Sequence, residues 1–374
     1  METIFMFVNY TPDDLSKGIT KKINSEIAAL RRLGYSVFYT AYTGNGAVVY
    51  DNNDCIIFRK SYRLCKTRLY HIFRYSMLLH VANQYLRKTG LTFDYCYGRM
   101  GAMNSQYISL LEQLKDQGAK IILEAHSYFP GMKWKDLKGK YVSFCLEKNH
   151  RKIARLADKV LTEGDVPEFW GMRHEHQRIG VEISALPVHR YKGISDELNL
   201  ISVANEIEYH AYDRLIKSLA EYREKGGEHT IKIHFVGELL PSTTQMIQQL
   251  QLQDNVMVYG KIYGEHLFEI YDQCNMGVGP LGQHRNNGKK DTGLKTKEYF
   301  GIGLPYFYTG EESDLPEDYP YVFKVPDDES ILDFDTIWSF YQSYKDKLTV
   351  SEEMRELARQ IFSWDVIMEQ AMQL

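Results

Sequence analysis

Residues 291–305, DTGLKTKEYFGIGLP, predict a helix bounded by glycines, and the other elements of the chain are placed around it. Asp291 or Thr292 is expected to cap its start, since short polar side chains accept hydrogen bonds from first-turn amides. The helix then begins at Leu294, and Pro305 prevents its continuation because proline lacks a backbone N–H. An ordinary helix with a glycine exit is an equally consistent interpretation.

The start of this helix is a candidate phosphate site. Unpaired N–H groups and the helix dipole place partial positive charge there. Lys295 and Lys297 are expected to add cationic charge beside it, and Glu298 lies about one turn further in. A carboxylate at that position accepts hydrogen bonds from a ribose diol but repels a phosphate, so it favours a ribose nearby.

Length and composition predict two globular domains in a reducing compartment. The chain has 374 residues, of which 44% are apolar, and a net charge of −4, which argues against general nucleic-acid binding. The five cysteines are widely spaced and form no CxxC pair, which argues against a disulfide scaffold and a zinc site. No signal-peptide pattern and no apolar run of ~20 residues is present, so a cytoplasmic location is expected.

The first half begins as a doubly wound sheet. A strand at 4–8, a helix at 19–33 and a strand at 35–41 follow one another, with a polar loop between the first two. Ligands sit beyond the carboxyl ends of such strands, so the loop ending at Gly18 is a candidate cleft lining. The alternative is that Gly18 serves only as a helix-entry residue. Residues 45–54 are expected to form a loop.

Polar side chains follow two further predicted strands. Gly98 and Arg99 follow a strand at 93–97, and Glu124 ends the next strand, two residues before His126. His126 is a candidate for contact with a sugar hydroxyl or for acid–base chemistry, with Glu124 orienting it. A single histidine is more often structural, and that interpretation stays open.

Residues 56–93 contain eight Lys or Arg and no Asp or Glu. These cations are interleaved with Leu, Tyr, Phe and Ile. One interpretation is a surface for anionic lipid or a lipid-phosphate acceptor. The other is a solvated basic helix with one buried face, which is favoured because the charges do not form one clear stripe.

Strands and helices also alternate through the second half, so a second doubly wound domain is predicted after a Gly/Pro-containing connection. Its strands end at glycines, among them Gly237 and Gly260, and these ends are expected to line one crevice with the helix at Leu294. Arg285 lies in the loop before that helix and is a candidate for neutralising a diphosphate.

Several motifs together resemble GT-B glycosyltransferases, of the large retaining family 4 type. LKTKEYFGIGLPYFY resembles the donor-binding helix of a subgroup that reads LKTREY. HFVGE and VANEIEYHAYDRLIKSL resemble segments of the donor domain of these enzymes, and LEAHSY resembles their acidic-histidine turn. RIGVEISALP resembles the hinge between the domains, and FSWD resembles the C-terminal helix that returns to the first domain. The resemblance covers nearly the whole chain.

The resemblance implies an α/β fold of GT-B type, with two Rossmann-like, doubly wound domains facing a central cleft. It implies an acceptor domain at 1–185, a nucleotide-sugar donor domain at 186–350, and a C-terminal helix at 351–374 that crosses back. The expected activity is retaining transfer of a hexose from a UDP- or GDP-sugar to a glycan or lipid-linked hydroxyl. Surface polysaccharide biosynthesis, at the inner face of the membrane, is the expected setting.

The resemblance also assigns roles to residues. His126, Lys295 and Glu298 are the expected catalytic residues, with Glu298 on the ribose and His126 on the transferred sugar. Glu124 and Arg99 are expected to bind the acceptor. The expected donor-binding residues are Gly18, Arg214, Gly237, Gly260, Lys261, Arg285, Asp291, Leu294 and Thr296. No DxD pair stands in a suitable loop, so no obligatory metal is expected.

Two departures from the family pattern are visible. The first Glu of its E-x7-E motif is replaced by Lys290, with Asp291 next to it. The usual Arg and Lys after the first donor-domain strand are replaced by Asn205 and His210, with Arg214 nearby. A catalytically silent subunit that partners another transferase, and a nucleotide-sugar epimerase, are therefore alternative predictions.

Overall fold

The computed structural model describes residues 1–13, 18–63, 70–125, 137–162, 168–190, 196–286, 293–312, 314–316 and 318–374. It divides into two compact units. The first comprises Met1–Arg178 together with Trp364–Leu374, and the second comprises Ile179–Ser363.

The first unit is built on an eight-stranded sheet with the strand order β4-β3-β2-β1-β5-β6-β7-β8. The strands β1, β2, β5, β6, β7 and β8 are parallel, whereas β3 and β4 add an antiparallel edge. The strands are β1 Thr3–Phe7, β2 Ser36–Thr43, β3 Gly46–Tyr50, β4 Ile56–Ser61, β5 Tyr95–Arg99, β6 Lys120–Ala125, β7 Lys159–Thr162 and β8 His174–His176. The helices are α1 Gly18–Arg32, α2 Tyr70–Thr89, α3 Ser105–Asp116, α4 Leu137–Leu156 and α11 Trp364–Met372.

Both faces of this sheet are covered, which explains the continuous apolar run of its central strand. Ile4, Phe5, Met6 and Phe7 of β1 are all at most 1% exposed. Phe5 and Phe7 pack on one face with α2 and α3, while Ile4 and Met6 pack on the other with α1 and α11. Parallel strands buried on both faces read as apolar runs without alternation.

The expectation of a loop at 45–54 is wrong, because Gly46–Tyr50 forms β3 between β2 and β4. Its Ala-Val-Val core is buried and suits a pleated surface. Gly46 is required by the close approach of β4, since a Cβ there would lie 2.0 Å from the Lys60 carbonyl oxygen.

The second unit contains a six-stranded, wholly parallel sheet with the order β11-β10-β9-β12-β13-β14. Counted within the unit this is the order 3-2-1-4-5-6 of a Rossmann sheet. The strands are β9 Glu197–Val203, β10 Thr230–Val236, β11 Val256–Gly260, β12 Met276–Val278, β13 Tyr306–Tyr308 and β14 Val322–Lys324. The helices are α5 Tyr212–Glu224, α6 Pro241–Gln249, α7 Glu265–Tyr271, α8 Leu294–Ile302, α9 Phe334–Tyr344 and α10 Val350–Ile361.

The C-terminal segment is divided between the units, rather than forming the one returning element expected at 351–374. α10 belongs to the second unit because the buried Arg355 donates to the carbonyl oxygens of Ile183, Leu186, Pro187 and Gly301 at 2.7–3.0 Å. Those contacts also tie residues 179–185 to the second unit, whereas the predicted boundary followed 185. Trp364–Leu374, which contains α11, belongs to the first unit.

Candidate functional site

The second sheet reverses its strand order between β9 and β12, and ligands of Rossmann sheets sit at such a reversal. The carboxyl ends of these strands carry Ser202 and Val278, and the Ser202 hydroxyl lies 3.4 Å from the Val278 carbonyl oxygen. Both groups are buried. The reversal point therefore has a polar floor made by two adjacent strands.

The helix α8 begins at Leu294, as predicted, but its N-cap is Gly293. The predicted caps Asp291 and Thr292 lie outside the described residues. Glycine has no side chain with which to cap first-turn amides, and an added Cβ there would meet no atom within 4 Å. Thr296, a predicted donor-binding residue, donates its hydroxyl to the Gly293 carbonyl oxygen at 3.0 Å. The helix start thus keeps the features that favour an anion.

Lys295 reaches from this helix to the reversal point. Its ammonium donates to the Ser202 hydroxyl at 3.2 Å and lies 5.7 Å from the centre of the Tyr212 ring. The hydroxyls of Ser202 and Tyr212 are in turn 2.7 Å apart. Burial lowers the pKa of Lys295 to about 7. An anion bound beside the ammonium favours its charged form, so the group is suited to respond to a phosphate.

His210, predicted to replace a family cation, lies in the same region. It is buried and stacks on Tyr212 with 5.3 Å between ring centres. Burial, followed by the charge of Lys295, lowers the pKa of His210 to about 2. The histidine is therefore neutral, and between these two side chains the positive charge resides on Lys295.

Lys297 does not contribute charge to the helix start, so that expectation is wrong. Its side chain is fully buried, is hydrogen-bonded to Glu312, and lies 3.6 Å from an Asp314 carboxylate oxygen. A buried ammonium needs such partners because its desolvation is costly. Lys297 is therefore held in a buried ion pair with these two carboxylates and is directed away from the helix start.

Glu298 is half-buried one turn into α8, on the same helix as Lys295. Burial raises the pKa values of Tyr271 and Tyr299, and the negative charge of the nearby Glu298 raises them further. The Tyr299 hydroxyl accepts from the Val203 amide at 3.0 Å and so ties α8 to the end of β9.

Arg214 supports a neighbouring loop. The guanidinium is buried and donates to the carbonyl oxygens of Leu281, Pro326 and Ser330 at 2.8, 2.9 and 2.6 Å. These contacts fasten the segment after β14 to the segment after β12. Direct contact of Arg214 with a donor stays a prediction.

Arg285 lies in an ion-pair cluster at the same place. Its guanidinium contacts Asp213 at 2.7 Å and Glu329 at 2.5 Å. His284 joins the cluster, with its ring nitrogens 2.6 Å from Glu329 and 3.1 Å from Asp327. The positive charge of Arg285 is thus already matched by two carboxylates, which reduces what it offers to a diphosphate.

Gly237 and Gly260 join the carboxyl ends of β10 and β11. The Gly237 amide donates to the Gly260 carbonyl oxygen at 2.7 Å. Gly237 has a φ of +129°, and a Cβ there would lie 2.2 Å from the Ala204 carbonyl oxygen, so the backbone requires glycine. Lys261 follows and pairs with Glu238 at 2.8 Å, half exposed to solvent. These backbone contacts give the two glycines a structural role. Contact of Gly237, Gly260 or Lys261 with a donor stays a prediction.

The first unit holds a second polar cluster, at the point where its strand order reverses between β1 and β5. Arg99 ends β5, and its Nε lies 3.3 Å from a Glu124 carboxylate oxygen. Lys22 of α1 is hydrogen-bonded to Glu124 and lies 3.6 Å from Glu26. Glu26, Glu124 and Arg99 are 0, 1 and 6% exposed. Buried charges of this kind are costly and often mark functional sites.

The structure brings together only some of the predicted residues of the first unit. Arg99 and Glu124 are paired, and Gly18 is the exposed first residue of α1, where an added Cβ would meet no atom within 4 Å. His126 lies outside the described residues. Lys22 and Glu26 were missed by the sequence analysis, although their i, i+4 spacing on the helix after Gly18 is a usable signal. In the second unit the missed residues are Ser202, Tyr212 and Tyr299.

No known family model matches the chain, and no curated protein matches its sequence. Solved structures do match. A glycosyltransferase from Rickettsia africae aligns with a TM-score of 0.64 at 13% identity, covering 99% of this chain and 96% of its own. A sucrose-phosphate synthase from Thermosynechococcus elongatus gives 0.62 at 15% identity, with 99 and 97% covered. The catalytic domain of starch synthase IV from Arabidopsis thaliana, bound to ADP and acarbose, gives 0.63 at 12% identity, with 99 and 97% covered.

These likenesses establish the fold class. The chain has the GT-B fold of glycosyltransferases, with two Rossmann-like domains, as predicted. In the described ranges, no group of three His, Cys, Asp or Glu side chains is placed to hold a metal ion. Among the described helices, none combines the length and apolar character needed to cross a bilayer.

Proposed function

We propose that this chain is a nucleotide-sugar-dependent hexosyltransferase that acts with retention on a glycan or lipid-linked acceptor hydroxyl. Surface polysaccharide biosynthesis, in the cytoplasm at the membrane face, is the proposed setting. The observation that carries the proposal is the ammonium of Lys295, held at the strand-order reversal and at the start of α8. The GT-B likeness supports the same reaction class.

In the proposed donor complex, the diphosphate of a UDP- or GDP-sugar lies against the start of α8. The amides of Leu294, Lys295 and Thr296 and the ammonium of Lys295 contact it. When the glycosidic bond breaks, the negative charge that develops on the diphosphate is stabilised there, without an obligatory metal. Glu298, one turn further on, accepts hydrogen bonds from the ribose hydroxyls.

The remaining donor contacts are assigned from the family pattern. Lys261, beside Gly260, is proposed to flank the base. Gly237 and Arg214 support the loops around it, and Asp291 takes part of the role that Glu has in the family motif. Arg285 is proposed to act mainly by holding its loop, since Asp213 and Glu329 already balance its charge.

The acceptor is proposed to bind at the charge cluster of the first unit. Glu124 and Arg99 orient the acceptor hydroxyl, Gly18 admits the donor sugar, and His126 contacts the transferred sugar. Glu124 pairs with both Arg99 and Lys22, which holds its carboxylate in one position in a buried place. For a lipid-linked acceptor, the basic residues within 56–93 are one candidate membrane contact.

The test is to incubate the isolated chain with UDP-, GDP- and ADP-glucose and to follow nucleoside diphosphate release. Slow release with one donor, lost in Lys295→Met and in Glu298→Ala, is expected. Lys225→Met is the matched control, because Lys225 is the C-cap residue of α5, is 73% exposed and pairs with Glu221 one turn before it. NMR of the released or transferred sugar reads its anomeric configuration.

Two other outcomes oppose the proposal. Binding of a donor without any turnover, combined with activity restored by a partner transferase, favours the silent subunit suggested by Lys290. Conversion of the free donor into its epimer without an acceptor favours an epimerase of the same fold.

A further inference from the structure

The helix α4 of the first unit exposes a stripe of large apolar side chains. Leu137, Tyr141 and Phe144 follow the i, i+4, i+7 spacing of one helix face and are 86, 50 and 59% exposed. The opposite face packs inward through Val142 and Leu146, which are at most 3% exposed. α4 is therefore a surface helix whose outer face is apolar in its first half.

The same stripe becomes basic in the second half of the helix. Lys148, Arg151 and Arg155 continue the spacing from Phe144 and are all exposed. The Lys148 ammonium lies 6.0 Å from the centre of the Phe144 ring, so the two halves meet side by side. α4 carries six Lys or Arg against one acidic residue, in a chain whose net charge is −4. The outer face thus concentrates positive charge.

An open cavity of about 560 Å³ adjoins the basic half. Its lining includes Arg151, Arg155, His150 and Trp170. Among the described residues of the lining, the carboxylate is that of Glu168, which accepts from the Gly171 amide at 2.6 Å. This open depression has cationic walls, which suit an anionic head group.

We propose that the outer face of α4 docks on an anionic lipid membrane. Apolar and aromatic side chains enter the boundary between head groups and acyl chains, while Lys and Arg beside them contact lipid phosphates. The charge of the face favours this occupant over a second copy of the chain, because two such faces repel each other. The proposal stands independently of the glycosyl-transfer function.

Residues 56–93 are a weaker candidate in the structure than they are in the sequence. Lys60 contacts His80 at 2.9 Å, and Arg87 contacts Gln113 at 3.3 Å. Arg74 and Lys88 lie over the rings of Tyr42 and Phe58. These four cations contact neighbouring side chains. The outer face of α4, in contrast, carries exposed apolar side chains next to exposed cations.

The test is vesicle flotation of the full chain with phosphatidylcholine vesicles, with and without phosphatidylglycerol at about one third of the lipid. Two variants remove the proposed contacts: Leu137→Ser/Tyr141→Ser/Phe144→Ser, and Lys148→Glu/Arg151→Glu/Arg155→Glu. The matched control is Arg59→Glu/Arg63→Glu, which reverses exposed charges within 56–93. Thermal unfolding and nucleotide binding of each variant confirm a native fold and are read separately from flotation.

We expect the wild type and the control to float with anionic vesicles, and both α4 variants to lose roughly tenfold or more of the bound fraction. Flotation that survives both α4 variants overturns the proposal, as does a wild type that does not float. Loss of flotation in the control alone returns the contact to 56–93. If the wild type does not float but self-associates, and the serine variant does not self-associate, the outer face of α4 is a contact between proteins and the proposal is overturned.

Discussion

Substitutions of Lys295 can show whether its side chain binds the donor through its positive charge or only fills space in the packing. Replacing it with methionine keeps an unbranched side chain of similar length but removes the ammonium. Because burial already lowers the pKa of Lys295 to about 7, the free protein gains little from the charge, and the variant is expected to fold. Lys295→Arg provides the matched variant that stays charged at every pH used.

The size of the effect follows from one charge-assisted hydrogen bond to a phosphate oxygen. Such a bond contributes about 1.5–3 kcal/mol, so Lys295→Met is expected to weaken donor binding by roughly 10- to 100-fold at pH 6. The protonated amine is the binding form. With a pKa of about 7 in the free protein, its protonated fraction falls about tenfold between pH 6 and pH 8, and wild-type affinity falls with it.

The assay is isothermal titration with a nucleotide-sugar, whose diphosphate has no group titrating in this range. Wild type should lose affinity on going from pH 6 to pH 8, Lys295→Arg should show no such slope, and Lys295→Met should bind weakly at both. Equal affinity of Lys295→Met and wild type at pH 6 would show that the ammonium does not contact the donor. A pH slope that persists in Lys295→Arg would contradict its assignment to Lys295, because another group must then titrate.

Three further substitutions test the scaffold of the site. Gly293→Asp should stabilise the protein by a few tenths of a kcal/mol by capping α8, but its charge should weaken donor binding, whereas Gly293→Asn should cap the helix without that repulsion. Urea unfolding measures the stability and titration measures the binding. Tighter donor binding by Gly293→Asp would contradict the placement of the phosphate. Arg355→Met should lower the free energy of unfolding by at least about 3 kcal/mol, since buried carbonyl oxygens lose their donor, and a change within error in urea unfolding would disprove that role. Gly237→Ala should cost about 2 kcal/mol or more because of its φ of +129° and the Ala204 contact, and a wild-type unfolding midpoint would refute this.

Much of the second unit could be predicted from local signals. Its strands are short apolar runs, and glycines mark the exits of β10, β11 and β12. The strands β10 and β12 and the helix α8 therefore start within a residue of their predicted positions. The GT-B fold followed from the order of these motifs. The antiparallel β3 was missed because its flanking Gly, Asn and Asp residues are typical of a loop, whereas its pairing depends on β2 and β4.

The charges of the site were harder to predict because their partners are distant in sequence. Lys295 and Lys297 are two residues apart on α8, yet one meets Ser202 and the other meets Glu312. Their different roles depend on which face of α8 is buried. The apolar residues of α8 are spread around the helix, so the sequence does not show which face that is. The cluster of Lys22, Glu26 and Glu124 likewise depends on the packing of α1 beside β6.

A thermal-shift screen of UDP, GDP, ADP and their sugars on wild type, Glu298→Ala and Glu298→Gln tests whether α8 holds a nucleotide-sugar donor. Ligand that binds the native state raises its melting temperature by mass action. We expect a shift with one nucleotide in wild type that is lost in Glu298→Ala. The shift should be reduced in Glu298→Gln, which keeps the size of the side chain but not its charge. No shift with any nucleotide, or an equal shift in all three proteins, would contradict a donor site at α8.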